Sequence, residues 1–140
     1  MLYRTDFDEN GRKTLCQMDG VNADMLMDIF VQKLAPGDTL TLEEAEKECA
    51  VLLLSGQVTF AVGNSINETC RRKNPFEKKP YAVHFCRGTK ATVTAIEGSQ
   101  VLVKMTDNDR TWAPEFYHPG NCLYQAVSYT HLRAHETKAN

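Results

Sequence analysis

The chain has 140 residues, a formal net charge of −2, a pI near 6.1, 24% charged residues and 42% hydrophobic residues. That balance offers no basic surface to nucleic acid or anionic lipid, and the longest purely apolar run, Ala50 to Leu54, falls far short of the ~20 residues of a membrane span. The length suits one domain with one core, and Arg4, Asp6, Asp8 and Glu9 stand where a leader would be apolar, so a cytoplasmic location is expected.

Residues 1–27 read as an extended arm, with a turn at Asp8-Glu9-Asn10-Gly11. Ile29 to Leu34 alternates as a strand does. Pro36-Gly37-Asp38 is a turn, and Leu40 and Leu42 alternate with threonines in a short strand. Glu43 to Lys47 reads as a solvated loop. Glu48 to Leu54 reads as a buried strand, Ser55-Gly56-Gln57 as a tight turn, and Val58 to Val62 as its hairpin partner. Gly63-Asn64-Ser65 turns the chain into a strand at Ile66 to Cys70. Arg71 to Pro80 is a basic loop with two prolines, more in keeping with a solvated loop than with an anion site. Tyr81 to Cys86 is a strand, and Ala91 to Ile96 with Gln100 to Met105 forms a hairpin around Glu97-Gly98-Ser99. Residues 106–125 read as an irregular covering segment, in which Trp112 and Phe116 lie over the core. Many short strands and no strong helix predict an all-β sandwich or small barrel.

The five cysteines, at 16, 49, 70, 86 and 122, are odd in number and contain no C-x-x-C pair, so they read as buried thiols rather than a disulfide or zinc framework. The spacing from Pro36 to Gly56 resembles the first motif of a cupin barrel, with its glycines on Gly37 and Gly56. The three metal-ligand positions then fall on Glu43, Ala45 and Cys49. In the second motif the glycine falls on Gly88, the proline position on Cys86 and the histidine position on Ala91. A metal site needs three or four converging donors, and alanine supplies none. No catalytic, cofactor-binding or metal residue is therefore assigned. His84, alone in its strand, is expected to be hydrogen-bonded or solvent-facing, and His118 to lie in a surface loop.

The last residues have a different character. Val127 to Thr137, VSYTHLRAHET, resembles one reading frame of a sequencing-adapter oligonucleotide, so 126–140 is expected to be a non-native tail and the natural protein to continue past Gln125. His131, His135 and Glu136, which would share a helix face, are set aside with it.

Three blocks carry a family resemblance: VQKLAPGDTLTLEEAEKECAVLLLSGQVTF, RRKNPFEKKPYAVHFCRGTKATVTA and QVLVKMTDNDRTWAPEFYHPGNC. Residues 28 to about 121 resemble the N-terminal half of the 5-deoxy-glucuronate isomerases, the inositol-catabolism members of the uronate isomerase family. The resemblance implies a bicupin, with 28–125 as a degenerate, structural N-terminal cupin. It also implies a divalent metal, zinc by expectation, held in a C-terminal cupin that is absent here, with no cofactor in this segment. The implied reaction converts 5-deoxy-glucuronate to 5-dehydro-2-deoxy-gluconate. The implied partners are a small sugar-acid substrate for the full-length enzyme and further copies in a homo-oligomer. The alternatives are a related 5-keto-4-deoxyuronate isomerase and a non-catalytic cupin that binds a ligand or mediates oligomerisation.

Overall fold

The computed structural model describes residues 6–18, 20, 26–77 and 80–120. The adapter-like tail, 126–140, and Cys122 lie outside them. Among the described residues the chain forms nine strands: β1 (Arg12–Cys16), β2 (Asp28–Leu34), β3 (Thr39–Glu43), β4 (Lys47–Val62), β5 (Ile66–Arg72), β6 (Ala82–Phe85), β7 (Lys90–Ala95), β8 (Ser99–Asp107) and β9 (Glu115–Tyr117). One layer runs β1-β2-β8-β4-β6-β9; the other joins β3, β7, β4 and β5. Each recorded pairing is antiparallel. The all-β expectation holds, and the two layers make a jelly roll of the cupin type.

β4 organises both layers. Lys47 to Ser55 pairs with β8, and Cys49 to Leu52 with β6. Gly56 to Val62 pairs with β5, and Val58 to Val62 with β7. The tight turn expected at Ser55-Gly56-Gln57 is therefore a bend inside one 16-residue strand, and its two halves are not hairpin partners. The reason lies in phase. Cys49, Val51 and Leu53 face the core at odd positions, whereas Val58, Phe60 and Val62 face it at even ones. A bulge between Leu53 and Ser55 shifts the register, and one extra residue moves the inward set by one position. Gly56, at φ +100°, makes the bend; a methyl group there would run into Ser99 Oγ, Gly98 O at 2.5 Å and Ser99 Cα at 2.6 Å. Ser99 is buried and accepts a hydrogen bond from Gln57 N at 3.0 Å.

The expected hairpin of Ala91–Ile96 with Gln100–Met105 is also corrected. β7 pairs with β3 and β4 in one layer, and β8 with β2 and β4 in the other. The Glu97-Gly98-Ser99 link crosses between layers, because the two halves of β4 that these strands join are carried apart at Gly56. The hairpin through Gly63-Asn64-Ser65 is present, with Val62 opposite Ile66.

The described part of the arm, residues 6–18, holds a strand that the sequence reading lacked. Its turn is there: Asp8 Oδ1 accepts from Asn10 N at 2.8 Å and Arg12 N at 2.9 Å. Beyond it, β1 adds to the edge of β2. The Arg12 guanidinium lies 3.9 Å from the Phe30 ring centroid and donates from Nε to Gln32 Oε1 at 2.9 Å. A cation and an amide thus occupy a place where apolar alternation would have advertised a strand. Residues 106–120 are irregular apart from the end of β8 and the three-residue β9, which pairs with β6.

Candidate functional site

The cupin ligand positions do not converge on a donor set. Glu43 and Ala45 are exposed, at the end of β3 and in the loop after it. Cys49, Cys86 and Ala91 are buried. Ala91 faces Leu42 across the β3–β7 pair, and Cys49 faces Phe85 across β4–β6. The space between layers is filled by Val51, Leu53, Phe60, Phe85, Val93 and Val103, each at most 1% exposed. Burial, with the nearby Glu44 charge, pushes the Cys49 thiol up to about 12, so it is a neutral packing group rather than a thiolate ligand. Burial likewise pushes Cys70 up to about 12. Among the described residues no three His, Cys, Asp or Glu side chains group to hold a metal ion. These donors do not fit a divalent metal.

The basic stretch is divided between strand and loop. Arg71 and Arg72 end β5. Arg72 is buried; its Nη1 donates to Leu53 O at 2.9 Å, and its Nη2 donates to Pro75 O at 2.8 Å and Glu77 O at 3.0 Å. Its Nη2 thus holds the 73–77 turn, where Glu77 Oε1 also accepts from Lys73 N at 3.0 Å, while its buried Nε has no hydrogen-bond partner among the described residues. Arg71 is exposed and pairs with Glu97 at 3.2 Å. A cavity of about 720 Å³ opens beside these groups and Tyr81. Arg71 Nε and both terminal nitrogens of Arg72 already have protein acceptors.

A second, more specific constellation lies on the outer face of the larger layer. Register puts His84 of β6 opposite Ala50 of β4, on the face away from buried Val83 and Phe85. Glu48 is two residues before Ala50, on the same face. Glu48 Oε2 lies 2.7 Å from His84 Nε2, and Glu48 Oε1 accepts from Asn108 Nδ2 at 2.7 Å. The bond from Asn108 and then the one to His84 outweigh burial and hold the Glu48 carboxyl below the usual glutamate range. The segment after β8 is pinned over this cluster: Asn108 N donates to Glu46 O at 3.1 Å, Arg110 N to Asn108 Oδ1 at 3.0 Å, and Arg87 Nε to Asp109 O at 3.0 Å. Trp112 follows, with its ring 5.1 Å from that of His84 and tilted by 51°. Together these residues line an open cleft of about 630 Å³ with Arg110 and Glu115.

His84 is thus hydrogen-bonded, as expected. Phe116 packs against the core as expected; Trp112 does not belong to that layer of covering side chains but meets His84 outside the sheet. His118 stacks on Phe116 at 5.3 Å and accepts from Gly120 N at 3.0 Å. Nothing in the local sequence marks Glu48 or Asn108; the available signal was the outward phase of Glu48, Ala50 and Leu52.

The jelly roll defines the chain as a cupin. It matches the KduI/IolB family over residues 1–127 and belongs to that family. Its fold is similar to an IolB-like protein from Salmonella typhimurium LT2, with a TM-score of 0.74 at 23% identity over 84% of this chain and 45% of that one. It is also similar to KdgF from a Halomonas species (TM-score 0.54, 10% identity, 76% of this chain and 87% of that one) and to a cupin superfamily protein from Desulfitobacterium hafniense DCB-2 (TM-score 0.51, 13% identity, 70% and 76%). The chain spans less than half the length of the IolB-like protein. No curated protein matches it in sequence.

Proposed function

We propose that this chain is the N-terminal, non-catalytic cupin of a cytoplasmic two-cupin isomerase that converts 5-deoxy-glucuronate to 5-dehydro-2-deoxy-gluconate. The family match over residues 1–127 carries the reading. The span of only 45% of the IolB-like protein supports a second domain, and the packed interior with alanine at positions 45 and 91 supports a scaffold role for this one. A divalent metal, zinc in this reading, would be held by the second cupin and would supply Lewis-acid polarisation of the substrate's oxygens for an aldose–ketose proton transfer. The residues of this half position that domain and touch no reacting atom. The full-length enzyme is proposed to be a homo-oligomer.

The test is to read the source DNA past codon 125, express the complete frame and assay it. Turnover of 5-deoxy-D-glucuronate, with one metal per full-length chain and none in the 140-residue chain, is the expected result. Turnover of 5-keto-4-deoxyuronate alone moves the substrate to the related isomerase. A natural stop codon directly after Gln125, or stoichiometric zinc in the 140-residue chain, overturns the two-cupin reading.

A further inference from the structure

The cleft on the outer face of the larger layer lies outside the cupin interior, and the isomerase reading makes no use of it. We propose that it is a binding site for a neutral pyranose sugar. Three observations carry this. First, Trp112 is half-buried, lines the cleft and is not packed on the core; an aromatic side chain spared from the core offers a flat apolar platform with a polar edge. Second, the Glu48 carboxylate is held on both oxygens, by His84 and Asn108 at 2.7 Å each. An ionised carboxylate has about four acceptor positions, so it keeps roughly two for ligand hydroxyls while its orientation is already fixed. Third, the cleft of about 630 Å³ has the size of a small-ligand site and mixes acceptors, Glu48 and Glu115, with donors, Asn108 and Arg110.

The charges select within the sugars. Two carboxylates face one guanidinium, so a sugar acid is repelled and an uncharged ring with several hydroxyls is favoured. A bare metal ion is excluded by the absence of a third converging donor among the described residues. The proposal does not rest on the isomerase reading: it concerns a neutral ligand, and the residues used are all in this chain.

Trp112 is the single tryptophan of the chain, so its emission reports on this cleft alone. The 140-residue chain is titrated with methyl β-D-glucopyranoside, methyl β-D-galactopyranoside and methyl α-D-mannopyranoside, with sodium D-glucuronate as the charged control. The expected result is a saturable change in Trp112 emission with at least one glycoside in the millimolar range and a response to glucuronate at least tenfold weaker. Glu48→Ala is expected to weaken glycoside binding tenfold or more. Arg110→Ala and Glu115→Gln alter exposed side chains, and the glutamine keeps an oxygen to accept from Tyr117 Oη; the first is expected to weaken glycoside binding severalfold, and the second to narrow the discrimination against glucuronate. Strictly linear responses to all three glycosides, equal affinity for glucuronate, or affinities unchanged in both exposed-residue variants would overturn the proposal.

Discussion

Gly37 and Gly56 share a left-handed backbone, at φ +91° and +100°, yet they predict different responses to a methyl group. At Gly37 a Cβ meets nothing within 4 Å, so Gly37→Ala costs only the backbone strain, about 1–2 kcal/mol. At Gly56 the same Cβ strikes backbone atoms of Gly98 and Ser99, which cannot swing aside. Strain and overpacking then add to roughly 3–4 kcal/mol, and urea unfolding midpoints of the two variants will separate them. Glu48 gives a pH signature. Its folded-state pKa lies below the unfolded value, so its stabilisation is present at neutral pH. It is lost as pH falls through the ordinary glutamate range towards the lowered value. The difference in melting temperature between the native chain and Glu48→Gln should therefore be largest near neutrality and shrink on acidification. The thiols of Cys49 and Cys70, both pushed up to about 12 by burial, should resist a thiol reagent at pH 8 until the protein is unfolded.

At the scale of elements, β4 shows what local patterning conveys. Its first half alternates inward residues with half-exposed Glu48, Ala50 and Leu52, and that phase predicts unequal costs within one strand. Leu53→Ala empties a fully buried position and should cost about 3–5 kcal/mol. Leu52→Ala, on the outer face, should cost about 1 kcal/mol, and chemical denaturation of the pair checks the register. Most strands were legible because alternation and turn residues are local signals. The break in phase at Ser55-Gly56-Gln57 was legible too, but a bulge and a turn look alike along the chain. What separates them is the partner across the ladder, Gln100 of β8 or Arg72 of β5, which lies far off in sequence. The same lack of partner information joined β7 to β8, and the polar residues Arg12, Lys13 and Thr14 concealed β1.

For the whole molecule, the sequence conveyed the cupin spacing and the mismatch of donors, since Ala45 and Ala91 are visible without coordinates. The outer-face cluster was not legible. Glu48, His84 and Asn108 are separated by 36 and 24 residues, and only the pairing of β4 with β6 and β8 brings His84 and Asn108 each to 2.7 Å from the Glu48 carboxylate. Single residues in that cluster look like ordinary strand and loop positions until the register is known.

Because one strand is shared by both layers, neither layer has an unfolding transition of its own. Releasing Lys47 to Ser55 strips one partner from β6 and β8, and releasing Gly56 to Val62 strips one from β7 and the recorded partner from β5. The chain should therefore melt all-or-none, with calorimetric and van't Hoff enthalpies in agreement. Amide protons on both halves of β4 should report one common opening free energy, that of global unfolding.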